Sequence, residues 1–244
     1  MKTHRWKNAF RRLVLATIGV LAWSQSDAPL MAQTKPSQAE PAGHAAPDKA
    51  RSLSITLDTS QAPEMAKWAA EAKTRCEQFY PTIVKQLAAP NSRQPLSVTI
   101  TFERGHGVAA TAGNHIMCNA EWFTEHPDDY GAVIHELCHV VQAYGNENVP
   151  GWVTEGIADY VRWFKYEPAG RRPRPNPDTA QYTDSYQTTA AFFDWIVRTK
   201  NKSFVQRLNA AARNGKYSDE LFRQYAKKPL DELWAEYVES LQKN

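Results

Sequence analysis

The chain of 244 residues is 42% hydrophobic and 23% charged, which supplies enough apolar side chains for one core and predicts one folded domain. Its formal net charge of +3 comes from the N-terminus. The whole chain has 29 basic and 26 acidic residues, and residues 1–32 contain five of the basic ones and one of the acidic ones. Residues 33–244 therefore have 24 basic and 25 acidic residues, a net charge of −1. Because residues 33–244 are nearly neutral, they lack the positively charged surface that binds nucleic acid, and this excludes nucleic acid as a partner.

The first 32 residues have the pattern of a secretory signal peptide. Five basic residues precede an apolar run over residues 13–23, and small residues follow near the end of the segment. A membrane anchor is the alternative, but the run is too short to span a bilayer comfortably. We predict a secreted or periplasmic protein with no membrane span after signal cleavage. Residues 33–50 are then a disordered linker, and residues 51–244 the folded domain.

The first half of this domain predicts strands around one long helix. Alternating apolar and polar residues favour strands over residues 52–57 and 96–102. Between them, apolar residues at helical spacing predict a helix over residues 63–87. Two further short extended runs meet at Gly113-Asn114, a dipeptide that is typical of a hairpin turn.

The second half is helical almost throughout. One helix is predicted over residues 130–144, with Gly145 at its C-cap position, and the next over residues 151–166. A Pro-rich loop over residues 168–184 is too irregular for either element. Helices follow over residues 186–199, 203–213, 218–226 and 230–242. Strands followed by helices predict an α+β fold, in which a small, mostly antiparallel sheet packs on the 130–144 helix and a helical C-terminal half follows.

The 130–144 helix carries the spacing His-Glu-x-x-His (HExxH). His135 and His139 are four residues apart, so their imidazoles project from one face of a helix and both can reach one zinc ion. Glu136 lies beside that face, where its carboxylate can take a proton from water. The apolar residues needed for packing form a separate stripe: Val133, Leu137, Val140, Val141 and Tyr144. The pattern predicts one zinc ion per chain, against the alternative of two structural histidines without metal.

A catalytic zinc site usually has three protein ligands and one open position. Glu155 and Asp159 follow on the next predicted helix, four residues apart and therefore on one face. Pro150-Gly151 in the connection allows that helix to fold back against the first. Either carboxylate could be the third ligand while the other orients a histidine. We favour Glu155, because its longer side chain spans more of the gap between two helices.

Two segments resemble a known family. They resemble the plant basic secretory protein family of zinc peptidases, and they are HELCHVVQ at residues 135–142 and GWVTEGIADYVR at residues 151–162. The spacing of Glu155 and Asp159 is also similar to that of the glutamate-ligand metalloproteases (gluzincins). Further similar segments lie at residues 107–114, 185–193 and 230–237, so that the resemblance covers most of residues 50–240. The chain departs from the family in two respects: its charge after residue 32 is nearly neutral, and Cys138 lies within the His-Glu-x-x-His segment.

The resemblance implies a zincin-like fold and a peptidase that acts on a peptide or protein. In that family type the glutamate, here Glu155, binds zinc and the later aspartate, here Asp159, hydrogen-bonds the first histidine. Glu136 would then be the general base, and Tyr186 the donor to the oxyanion, with Tyr182 as the second candidate. We expect a monomer in which an extended substrate adds as a strand beside residues 107–111. The alternative is a non-catalytic secreted zinc-containing binding protein on the same scaffold.

Three cysteines and two histidines lie outside this set of residues. Export permits disulfides, and Cys76 with Cys118 is the one pairing that the spacing leaves open. Cys138 lies on the side of its helix opposite the histidines, and we interpret it as a small buried hydrophobic residue. His106 and His115 are interpreted as surface or hydrogen-bonded histidines rather than as metal ligands.

Overall fold

The computed structural model describes residues 53–87, 94–145, 148–184 and 186–243. The predicted signal peptide and linker lie outside these residues, so both stay predictions. Within the described ranges, none of the helices has the length and apolar character needed to cross a membrane.

Four strands form one mixed sheet. They are β1 (Ser54–Asp58), β2 (Ser97–Glu103), β3 (Ala109–Ala112) and β4 (His115–Asn119), and their order in the sheet is β1-β2-β4-β3. β1 pairs parallel to β2, β2 pairs parallel to β4, and β3 pairs antiparallel to β4. The predicted strands and the hairpin are therefore confirmed, and β3 lies at one edge of the sheet.

The predicted α+β class is confirmed, but the expectation of a mostly antiparallel sheet is wrong. Two of the three strand pairings are parallel. The reason is the long helix α1 (Ala66–Leu87), which crosses over between β1 and β2 and returns the chain in the same direction. The local hairpin turn at Gly113 makes only β3 and β4 antiparallel, and β4 rather than β3 pairs with β2.

Helix α1 is preceded by a short 3-10 turn over Pro63–Met65, so the predicted helix begins where the sequence indicates. Its buried residues lie at helical spacing and face the core: Ala69, Ala72, Cys76, Tyr80, Ile83 and Leu87. One short helix was not predicted. It is α2 (Ala120–Glu125), which follows β4 directly and is capped by the Asn119 side chain, an acceptor for the Glu121 backbone N–H at 3.1 Å.

The helix with the His-Glu-x-x-His spacing is α3 (Tyr130–Gln142). It ends two residues earlier than predicted, because the helix is capped at Ala143, which is left-handed with φ 43°; Gly145 is also left-handed, with φ 57°, but lies beyond the cap. The Ala143 backbone N–H donates to the His139 carbonyl and closes the last turn.

The remaining predicted helices are confirmed. They are α4 (Gly151–Val161), which continues into a π-helical turn at Arg162–Tyr166, α5 (Tyr186–Thr199), α6 (Phe204–Arg213), α7 (Glu220–Ala226) and α8 (Leu230–Gln242). Helices α4 and α5 pack very closely at Gly156. A Cβ atom there would lie 2.2 Å from Thr189 Cγ2, so only glycine permits this distance between the two helices.

The three cysteines, Cys76, Cys118 and Cys138, are buried and free, so the Cys76–Cys118 disulfide that the spacing left open is not formed. Burial raises the pKa of all three thiols, and that of Cys76 reaches about 12. His115 is a hydrogen-bonded histidine as predicted, since its Nε2 atom lies 2.6 Å from Thr101 Oγ1.

Candidate metal centre

Helices α3 and α4 bring three side chains to one point. The Nε2 atoms of His135 and His139 lie 3.0 Å apart, and each lies 3.1 Å from Glu155 Oε2. Four-residue spacing puts the two imidazoles on one face of α3, and α4 packs back against that face with Glu155 opposite them. These three side chains form the one group in the described part of the chain that is arranged to hold a metal ion.

Hydrogen bonds at the far side of each imidazole determine its tautomer. His135 Nδ1 lies 2.6 Å from Asp159 Oδ1, and a carboxylate accepts, so Nδ1 carries the proton. His139 Nδ1 lies 2.6 Å from Gln142 Oε1. The amide of Gln142 cannot be turned round, because its Nε2 donates to the Thr154 carbonyl at 2.9 Å. Both Nε2 atoms therefore present lone pairs to the point where the ligands meet.

This donor set fits a metal cation. With neutral imidazoles, two nitrogen lone pairs and a carboxylate oxygen converge with no hydrogen-bond donor between them, which is unfavourable unless a metal ion or an added proton supplies a positive charge there. Their separations of 3.0–3.1 Å are close to the distance of about 3.3 Å between ligand atoms in a tetrahedral zinc site with bonds of about 2.0 Å. Three protein ligands leave one position of a tetrahedron open, as in catalytic zinc sites.

The electrostatics of the metal-free site agree with this geometry. Burial lowers the pKa of His135, but hydrogen bonds to Asp159 and Glu155 outweigh it and raise that pKa to about 10. Burial raises the pKa of Glu155, but hydrogen bonds to the two histidines outweigh it and lower that pKa to about 2. The cluster therefore stabilises a positive charge among its members.

Glu136 lies beside the ligands and is held by the sheet. Its Oε2 atom accepts a hydrogen bond from Thr111 Oγ1 at 2.7 Å, and its backbone carbonyl lies 3.1 Å from the same hydroxyl. Only 8% of Glu136 is exposed, but it still lines the cleft beside the two histidines. Strand β3 therefore orients this carboxylate toward the space in front of the three ligands.

The structure separates the two tyrosines that the sequence left as candidates. Tyr186 begins α5, is 51% exposed and lines the cleft, with its ring centroid 6.0 Å from that of His135. Partial burial and then the nearby carboxylates of Glu155, Asp159 and Glu136 raise the pKa of Tyr186, so its hydroxyl keeps its proton. Tyr182 packs instead between Trp152 and Trp234 and is absent from the cleft lining.

The metal centre lies in a cleft of about 1310 Å³ whose two long walls are α3 and β3. The side chains at the centre of the lining are those already described, and two further groups lie beside them. One group belongs to β3 and its turn: Val108, Ala109, Ala110, Gly113 and Asn114. The other lies beside the N-terminus of α3: Trp122, Asp129, Arg162 and Trp163. Neither His106 nor His115 is part of the described lining.

Two polar contacts at this site were not predicted. Gln142 lies three residues after His139, so i, i+3 spacing on a helix was a usable signal for its contact with that histidine. Thr111 has no such local signal, because its contact with Glu136 joins residues 25 apart and depends on how the sheet docks on α3.

Comparison with known proteins identifies a family over most of the chain. The family BSP, described as "Peptidase of plants and bacteria", matches residues 58–237. This range contains all the residues of the metal centre. No curated protein matches the chain. No solved structure matches it.

Proposed function

The chain belongs to the basic secretory protein family, peptidases of plants and bacteria, and on this premise we propose that it is a secreted zinc-dependent peptidase with Glu136 as general base. One observation carries the proposal. Two histidine lone pairs and the Glu155 carboxylate converge within 3.1 Å, and the Glu136 carboxylate is oriented beside them. Secretion is supported by the basic and apolar pattern of residues 1–32.

Zinc is the metal that this donor set favours. Two imidazoles and one carboxylate with an open fourth position form a ligand set typical of zinc hydrolases, whereas magnesium and calcium prefer oxygen ligands alone. His135, His139 and Glu155 would hold the ion. Asp159 and Gln142 would keep the two imidazoles in the tautomer that ligates.

Glu136 performs the proton transfers of the proposed reaction. When bound, zinc lowers the pKa of a coordinated water toward 7 and polarises the scissile carbonyl. Glu136 takes a proton from the attacking water, whose oxygen bonds to the carbonyl carbon. The C–N bond then breaks, and Glu136 passes the proton to the leaving amine. Thr111 keeps the carboxylate directed at the cleft during both transfers.

Tyr186 is positioned to stabilise the developing negative charge. Its side chain lines the cleft near His135 and its hydroxyl stays protonated, so it could donate to the oxyanion of the tetrahedral intermediate. Substrate would lie along β3, the edge strand of the sheet, whose small side chains leave room for a second chain.

The alternative of a non-catalytic zinc-containing binding protein is disfavoured by Glu136. A structural zinc site has four protein ligands and does not need a further, non-ligating carboxylate such as Glu136 beside them. Here that carboxylate is almost buried and receives a hydrogen bond that orients it, which is unfavourable for folding unless the charge is used.

The test is metal content together with cleavage of an unstructured protein such as casein. We expect one equivalent of zinc per chain and cleavage that a chelator abolishes. Glu136→Gln should keep the zinc and the fold but lose nearly all cleavage, since an amide cannot take the proton. Zinc without cleavage would favour the binding protein, and a chain that binds no zinc would refute the proposal.

A further inference from the structure

The cleft extends along the whole of α3 and has the metal centre in its middle. Lining residues recur at helical spacing from one end of the helix to the other: Asp129, Ala132, His135, Glu136, His139, Val140 and Ala143. A rise of 1.5 Å per residue makes this wall about 21 Å long. His135 and His139 lie close to its midpoint, so the wall continues for about 9 Å before His135 and about 6 Å beyond His139.

The opposite wall is centred on the same point. The lining from β3 and its turn begins at Val108 and ends at Asn114. Thr111, which bonds Glu136, is the middle position of this run. At about 3.4 Å per residue, the wall extends about 10 Å from Thr111 back to Val108. On the other side it continues through Ala112 into the hairpin turn at Gly113-Asn114, where the chain reverses. Both walls therefore continue past the Glu136 carboxylate in both directions.

The cleft is larger than a site for a small molecule. Its volume of about 1310 Å³ exceeds the range of about 300–1,000 Å³ that is usual for drug-sized ligands. An extended polypeptide of six residues spans about 20 Å, which matches the length of the α3 wall.

The charged side chains in the described lining already have partners within the protein. Asp129 pairs with Arg162 at 2.5 Å, and Asp159 with His135 at 2.6 Å. Glu155 faces the two histidines, and Glu136 accepts from Thr111. An exopeptidase holds the terminal ammonium or carboxylate of its substrate with a fixed opposite charge. Arg162 Nε has no hydrogen-bond partner, but that atom is fully buried and cannot reach a substrate. The described lining therefore offers no exposed, unpaired charge for that purpose.

We infer that the chain is an endopeptidase that binds an extended segment of about six residues, three on each side of the scissile bond. This inference rests on the proposed peptidase function. It adds that the cleaved bond lies within a polypeptide and not next to one of its ends. Both walls continue past the metal centre in both directions, so chain on either side of the cut can be bound.

Peptides with blocked ends test this. A ten-residue peptide built around a bond that is cleaved in casein is compared with its N-acetylated, C-amidated form. Blocking should leave kcat/KM within about threefold, because neither terminus is bound. Shortening the blocked peptide to fewer than three residues on either side of the bond should lower kcat/KM at least about tenfold, since remote contacts contribute to transition-state binding.

Two results would overturn the inference. One is a loss of about 100-fold or more in kcat/KM on blocking either terminus; the other is release of single residues or dipeptides from the ends of the free peptide by mass spectrometry. Glu136→Gln is the control that assigns any cleavage to this site. If neither blocked nor free peptides are cleaved by protein that contains zinc, the proposed peptidase function itself fails, and this inference fails with it.

Discussion

Replacing Gln142 by methionine removes the hydrogen-bond acceptor of His139 while keeping a side chain of similar length. Gln142 is 1% exposed, and both ends of its amide are used, at 2.6 Å to His139 and at 2.9 Å to the Thr154 carbonyl. The variant leaves the His139 Nδ1–H and the Thr154 carbonyl buried without these partners. The imidazole is then free to rotate or to move its proton to the nitrogen that faces the metal.

The expected loss follows from these two contacts. A buried polar group that loses its partner costs about 1–3 kcal/mol, and loss of such a contact behind a ligating histidine weakens metal binding about 10- to 100-fold. Zinc affinity is measured by competition with a chromophoric chelator. The ¹⁵N chemical shifts of His139 in metal-free protein report its tautomer directly, independently of activity.

Two variants separate positioning from stability. Gln142→Glu keeps an acceptor for the His139 Nδ1–H and should recover most of the zinc affinity. Asn201→Leu removes another amide that uses both ends, donating to the Tyr225 carbonyl and accepting from the Ser203 backbone N–H, away from the cleft. It should lower stability and leave zinc affinity unchanged. Wild-type zinc affinity in Gln142→Met would refute the role of Gln142, as would a Gln142→Glu variant that binds zinc as weakly as Gln142→Met.

Three further predictions concern single contacts. Asp159→Ala should lower the zinc affinity about 10- to 100-fold, and Glu155→Ala should lower it more. The reverse order would mean that Asp159 binds the metal and Glu155 orients the histidine. Gly156→Ala places a Cβ 2.2 Å from Thr189 Cγ2, so it should lower the free energy of unfolding by about 1–3 kcal/mol, measured by thermal unfolding. The control is Gly170→Ala, because a Cβ there has no other atom within 4 Å. The buried thiols should resist iodoacetamide at pH 8 until the protein unfolds, as mass spectrometry would show. Because the pKa of Cys76 is raised to about 12, its contribution to stability is present below about pH 9 and is lost as the pH rises toward 12.

Local spacing was sufficient to predict the residues that meet at the metal centre. His135 and His139 share a face because of the period of one helix, and Glu155 and Asp159 share a face for the same reason. The structure brings these two faces together, with Asp159 hydrogen-bonded to His135 and Glu155 directed at the point where the ligands meet. Their roles in binding and catalysis stay predictions.

Features that depend on distant parts of the chain were not predictable in this way. Parallel pairing of β1 with β2 requires α1 to cross over between them. The alternation of apolar and polar residues predicts a strand, but it does not indicate whether the neighbouring strand runs parallel or antiparallel. The contact between Thr111 and Glu136 depends on the docking of β3 against α3. The end of α3 was misplaced because Gly145 has the stronger preference for a left-handed C-cap, whereas the observed turn closes at Ala143.

Helix α3 explains how the fold keeps the two histidines and Glu155 together at one point. Its polar face gathers two imidazole lone pairs, and α4 adds a carboxylate at 3.1 Å. Its opposite side is fully buried against the core through Val133, Leu137 and Val141, each 0% exposed. That apolar contact holds α3 in place whether or not a cation is bound, because hydrophobic burial does not depend on the charge at the other face. The positions of the two histidines are therefore fixed by packing, so that binding of a metal ion would not require the helix to refold.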